Sequence, residues 1–205
     1  MNPLANTPVS SIDSTRALLF EVLGGISQLE QVYEMLLVRV EQIAEKSERD
    51  ELSGLLRRNA FFTQWRALIR NCISSGNECG VLLVDVDHFK KINDSQGHDA
   101  GDEVIRRLGL LLRDFEATGL VCGRYGGEEF VVAYAGSQSR GERISQAIHS
   151  QVGVLGFTVS QGMSHSRLPQ EGIEEASLKQ ADLALYRAKR EGRNRTCIAE
   201  PQDTD

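Results

Sequence analysis

Proline is scarce in this chain of 205 residues: there are four, and two of them fall within the first eight positions. That scarcity, with 40% hydrophobic and 25% charged residues, argues against wholesale disorder and against fibrous classes. Cysteine is equally sparse. Cys72, Cys79, Cys122 and Cys197 form no CxxC pair and have no histidine nearby at zinc spacing, which excludes a zinc module and leaves reduced thiols as the simplest reading. No apolar run approaches the roughly 20 residues needed to span a bilayer. The stretch from Ala17 to Leu23 follows a single Arg16 and is broken by Glu21, so it does not read as a signal peptide. A cytoplasmic protein without membrane insertion is the expectation. Basic excess is absent too. Lys and Arg number 23 against 29 Asp and Glu, a net charge of −6, which argues against a general nucleic-acid binder or a membrane-surface protein. Residues 1–50 carry 4 − 8 = −4 of this and the remainder 19 − 21 = −2, so the acidity says little about a ligand.

The length suits one globular domain with an extension. Residues 1–11 read as a flexible N-terminus and 201–205 as a flexible tail. Residues 12–49 read as a helical stalk. Its apolar positions are Leu19, Val22, Ile26, Leu29, Tyr33, Leu36, Val40 and Ile43, with steps alternating between 3 and 4 as in a coiled-coil seam. Gly24-Gly25 weakens that helix by roughly 1 kcal/mol per glycine. Leu18, Leu23, Met35 and Leu37 widen the stripe beyond a two-stranded seam. A stalk that dimerises, assembles further or receives a partner protein is one reading; a helix packed on the domain is the other.

From residue 50 to 200 helical and strand patterns alternate. Phe61–Ile73, Gly101–Phe115, Glu142–Ser150 and Ile173–Arg190 read as helices. Val81–Val84, Leu120–Tyr125, Glu129–Tyr134, Gly156–Gly162 and Thr196–Ala199 read as strands, the second and third joined by a hairpin at Gly126-Gly127. The expected fold is α+β, a central, mostly antiparallel sheet flanked by helices and preceded by a long N-terminal helix.

Three segments carry chemistry. In VLLVDVDHFKKIND (81–94) a buried strand ends in Asp85 and Asp87, which share a face, and a carboxylate there is costly to desolvate unless it meets a cation or caps the next helix. In RYGGEEF (124–130) two glycines let the hairpin turn and place Glu128 and Glu129 at its tip; alone this also reads as an ordinary exposed turn, but together with Asp85 the two carboxylates supply an oxygen set of the kind magnesium prefers. In YRAKREGRN (186–194) Lys189 and Arg193 stand four apart, able to grip phosphate oxygens or simply to complement a helix dipole.

Taken in order, DELSGLLRR (50–58), DVDHFKKIND (85–94), GHDAGD (97–102), RYGGEEF (124–130) and ADLALYRAKREGRN (181–194) make the chain resemble a GGDEF-family diguanylate cyclase with the GGEEF variant of the signature. The resemblance covers about residues 48–200. It implies a fold related to nucleotidyl cyclases and the polymerase palm, and a homodimer or higher oligomer that condenses two GTP into cyclic di-GMP, signalling towards biofilm or motility control. It implies Mg²⁺ as cofactor, with Mn²⁺ as the alternative, held by Asp85, the Val86 carbonyl and Glu128. Glu128 is also the expected activator of the 3′-hydroxyl, with Glu129 beside it. Asn93 and Asp102 are expected on the guanine edge and His98 near the nucleotide. Phe89 and Lys90 are expected at the phosphates, Lys189 and Arg193 on the β- and γ-phosphates, and Gly126 and Gly127 where the nucleotide needs room. The RxxD product-feedback site of many relatives is missing, since Ala117 and Leu120 replace its ends. The competing reading is a catalytically silent module that binds GTP as a sensor or scaffold.

Overall fold

The computed structural model describes residues 9–200. The expected flexible tail lies outside them, as does most of the expected N-terminal flexible segment. The chain divides into two units after residue 47.

The first unit is helix α1 (Val9–Glu48), which continues one residue into the second. Leu19, Val22, Ile26, Leu29, Tyr33 and Leu36 along it are each 47% or more exposed. The stripe is therefore apolar and exposed along the described part of the helix. The side chains of Val40 and Ile43 fall outside the described residues. No helix among the described residues is long and apolar enough to cross a membrane.

In the second unit, six strands form one sheet in the order β1-β3-β4-β2-β5-β6. The centre is antiparallel: β2 (Cys79–Val86) pairs with β4 (Glu129–Ala135) on one side and β5 (Val159–Ser166) on the other, and β3 (Val121–Gly126) continues beyond β4. Two short outer strands pair in parallel, β1 (Leu56–Arg57) with β3 and β6 (Thr196–Ile198) with β5. β2 is buried along its whole length, as a continuous apolar run requires.

Alternation along β2 divides the core. Leu82, Val84 and Val86 face a cluster with Ile105, Leu108 and Leu112 of α4 (His98–Glu116) and Ile144 and Ile148 of α5 (Gln138–Leu155). Val81 and Leu83 face the other, with Phe61, Trp65 and Ile69 of α2 (Arg58–Ser75) and Leu178, Ala181 and Leu185 of α6 (Glu174–Arg190). Several elements differ from the sequence reading: the segment Phe89–Gln96 is a helix not listed there, α5 extends beyond the expected Glu142–Ser150 at both ends, and two strands depart from it. The strand expected over 156–162 starts three residues later, because Gly156 adopts φ 87° and closes α5, a role glycine fills without steric cost. β1 went unread, being two residues paired to a strand far along the chain.

Candidate active site

At the C-terminal end of β2, Asp85 is 6% exposed and lies directly opposite Glu129 of β4, so both carboxylates project to the α2–α6 side of the sheet. The hairpin between β3 and β4 turns through Gly127 at φ 48°, a conformation that suits glycine. Its tip is stitched back to the end of β2, Val86 N donating to Glu128 O at 3.3 Å. That bond brings Glu128 toward the carboxylate pair. From the end of α6, Lys189 Nζ donates to Asp85 Oδ2 at 2.7 Å.

The electrostatics follow from this crowding. Burial raises the pKa of Asp85, Lys189 opposes that, and Glu128 and Asp87 add to it. Glu129 is raised for the same reasons: burial first, then the charges of Asp85, Glu128 and Asp182, with Lys189 opposing. Such a site favours added positive charge. Among the described residues no three His, Cys, Asp or Glu side chains are drawn together tightly enough to hold a metal ion by themselves. Lys189 balances the charge of Asp85. Beside the carboxylates a cavity of about 850 Å³ opens between α2 and α6, with Leu83, Tyr125, Glu129 and Lys179 in its wall.

On the other side of the strand end, α3 (Phe89–Gln96) and α4 pack as a tight pair. Phe89 and Lys90 form the first turn of α3; His98 opens α4 and Asp102 follows one turn later. Asn93 Oδ1 is buried without a hydrogen-bond partner, an acceptor in want of a donor. A Cβ on Gly101 would lie 1.9 Å from that oxygen and 3.1 Å from Phe89 Cζ. Arg193 sits in the turn after α6 at φ 64°. Position 117 ends α4, and Leu120 is core, so no charged pair stands where RxxD would.

Residues the motifs left in the background prove to brace the site. Arg124 Nε and Nη2 donate to Gly127 O at 2.9 and 2.8 Å, and Nη1 reaches Asp50 Oδ1 at 2.9 Å. Burial works against the charge on Asp50, but hydrogen bonds from Ser53 and Arg124 outweigh it and lower the pKa. Gly101 was visible within GHDAGD as a glycine, but its closeness to Asn93 was not.

The family model described as "Diguanylate cyclase, GGDEF domain" matches residues 47–195. The chain belongs to the GGDEF family. Among GGDEF relatives, diguanylate cyclase DgcM of Escherichia coli K12 is 37% identical over 166 residues, covering 78% of this chain and 40% of that protein. The chain spans less than half the length of the curated GGDEF proteins it matches first. The crystal structure of the coiled coil and GGDEF domain of DgcB from Caulobacter crescentus, in complex with c-di-GMP, has a TM-score of 0.72 at 26% identity and covers 89% of this chain and all of that one. Diguanylate cyclase SiaD from Pseudomonas aeruginosa, in complex with its activator SiaC, has a TM-score of 0.70 at 26% identity, covering 92% of this chain and 76% of that one. The sheet and helix arrangement, including a long N-terminal helix, is that of the GGDEF structures.

Proposed function

We propose that this chain is a diguanylate cyclase, joining two GTP into cyclic di-GMP with release of two pyrophosphates, as a dimer governed through α1. The observation that carries this reading is the meeting of Asp85, Glu128, Glu129 and Lys189 at the end of β2. The names of the relatives support it, and the complex of DgcB with c-di-GMP supports the ligand class.

The donor set fits a hard divalent cation, Mg²⁺ or else Mn²⁺, because carboxylates that crowd one another are relieved by positive charge. Asp85, the Val86 carbonyl and Glu128 would hold it, and Glu129, opposite Asp85, belongs to the same oxygen-rich wall. When bound, such an ion favours ionisation of the attacking hydroxyl and offsets charge on the departing pyrophosphate. The chain's own groups do the rest. Glu128 accepts the 3′-hydroxyl proton as the bond from O3′ to the α-phosphorus forms and the bond to the bridging oxygen breaks. Lys189 turns from Asp85 to the phosphates and Arg193 joins it. Phe89 and Lys90 border them, Gly126 and Gly127 leave room at the hairpin, and His98 lies near the nucleotide. Asn93 and Asp102 accept from the guanine edge, which gives the orphan Asn93 oxygen its donor.

Each domain holds one GTP, so closing the product ring needs two domains face to face. The exposed stripe of α1 is proposed to supply that pairing; burying six such side chains is worth on the order of 10 kcal/mol before association costs. Its extra width leaves room for a regulatory protein, the kind of partner SiaD has in SiaC. With no RxxD ends, product feedback through that site is absent from this proposal.

Purified chain incubated with GTP and Mg²⁺ is expected to yield cyclic di-GMP and pyrophosphate, with Glu128→Ala inactive under the same chromatography. GTP retained without product would instead leave the silent sensor or an enzyme that waits for a partner on α1. Gly101→Ala tests the guanine pocket. The new methyl group displaces the Asn93 amide, the movable end of a side chain, so the fold survives while GTP affinity falls roughly 10-fold, the scale of one lost hydrogen bond. Unchanged GTP affinity by calorimetry would remove Asn93 from the pocket.

A further inference from the structure

Asp87 lies just past the end of β2 and is 5% exposed. A carboxylate buried so far needs its charge answered. Thr158 Oγ1, just before β5, donates to its Oδ2 at 2.7 Å, and Ser160 Oγ within β5 donates to its Oδ1 at 2.6 Å. The third bond leaves the sheet. Asn194 N donates to Oδ2 at 3.0 Å, from the turn that follows α6.

That turn is held in an unusual shape. Arg193 and Asn194 stand consecutively in the left-handed region, at φ 64° and 47°, which asparagine tolerates and arginine rarely adopts. Two backbone bonds fasten its flanks, Arg193 N to Ala188 O at 3.0 Å and Gln161 N to Arg195 O at 2.8 Å. Asp87 supplies a side-chain fastening at its apex. We infer that Asp87 is a positioning residue: by binding Asn194 N it holds the left-handed turn that presents Arg193 to the phosphates of the bound nucleotide. The inference rests on the cyclase reading, in which Arg193 grips the β- and γ-phosphates. Because Asp85 and Asp87 are two residues apart, a single strand end then sets the spacing between the carboxylate cluster and the phosphate-binding cation.

The test compares two ligands on the full-length chain in Mg²⁺, by calorimetry. One is a GTP analogue with a methylene bridge between the α- and β-phosphorus, which cannot release pyrophosphate; the other is GMP, which lacks the outer phosphates. Asp87→Ala is expected to weaken the analogue about 10- to 100-fold, the range for a lost charged hydrogen bond, and to leave GMP within about 2-fold. Arg193→Ala should show the same selective loss, and the double variant should be no weaker than Arg193→Ala alone. Ser160→Ala removes a bond to the same carboxylate without touching the turn. It should lower the melting temperature yet keep the wild-type ratio of analogue to GMP affinity. Equal losses for both ligands, additive losses in the double variant, or a shifted ratio in Ser160→Ala would each overturn the role. Should Asp87→Ala not fold, Asp87→Asn serves: its single acceptor cannot satisfy all three donors, so a smaller loss confined to the analogue is expected, and an unchanged ratio refutes the inference. Wild-type chain that binds neither ligand refutes the cyclase reading itself.

Discussion

Asp85→Asn is expected to lower GTP turnover by about 10³-fold or more while leaving the chain at least as stable at neutral pH. The first half follows from charge. On the proposed cyclase reading, a neutral amide in place of a carboxylate removes one of the anions that would hold the divalent cation and stabilise the transition state, and losses of that size accompany removal of a single well-placed electrostatic partner. The second half follows from linkage. Burial, with Glu128 and Asp87 adding to it and Lys189 opposing, lifts the folded-state pKa of Asp85 above its ordinary 3.8. Between that value and the raised one, the folded chain holds a proton the unfolded chain has released. Stability contributed by this group therefore falls as pH rises through the window, and at neutral pH the ionised carboxylate is a net cost. Asparagine removes the cost along with the charge. Lys189 loses its partner, but its side chain remains 33% exposed and stays hydrated. Melting temperature followed across acid to neutral pH, beside a turnover assay, reads both halves. A variant that loses stability in step with activity would make Asp85 a structural residue.

Gly162→Ala is expected to be the most damaging single methyl group in the sheet. Its Cβ would fall 2.0 Å from Ala181 O and 2.3 Å from Leu185 N, both backbone atoms of α6, so no side chain can swing aside. The helix must lift, and α6 comes this close only because Ala181, Ala184 and Ala188 are small and buried. Overpacking of this kind costs about 3 kcal/mol, which lowers the melting temperature of a chain this size by roughly 6–12 °C. Since α6 also carries Lys189, turnover should drop with it. Gly153→Ala is the control. It lies in α5 with nothing within 4 Å of the added carbon, and alanine there should stabilise by roughly 0.5–1 kcal/mol. Equal melting temperatures for the two variants would show slack between helix and sheet.

What could be read from the sequence was what is local in it. The heptad steps of α1, the apolar run of β2 and the GG turn each declare themselves within a dozen residues, and so do the carboxylates they carry. The expected α+β class with a mostly antiparallel centre matches the observed order. What could not be read was distance across the fold. β1 is two residues whose partner lies 67 positions on, at Leu56 and Gly123. Gly162 looks like an ordinary weak point in a strand until α6 is laid against it. Glu128 and Glu129 are adjacent and alike in sequence; only the pairing of β2 with β4 sets Glu129 opposite Asp85. Asp87 finds its partners at Thr158, Ser160 and Asn194, a juxtaposition no local pattern encodes.

The brace from Asp50 through Arg124 to Gly127 also fixes where an excisable GGDEF module can begin. A fragment starting at the first domain helix, at Arg58, would keep every carboxylate and cation of the cluster and would still lack the anchor of the hairpin that aims two of them. The residues just after α1 are thus not a dispensable linker. Grafting this domain onto a foreign input helix requires the splice to fall before Arg49, whose side chain binds Gly54 O at 2.9 Å and Glu116 at 3.3 Å and so seats the loop in which Asp50 stands.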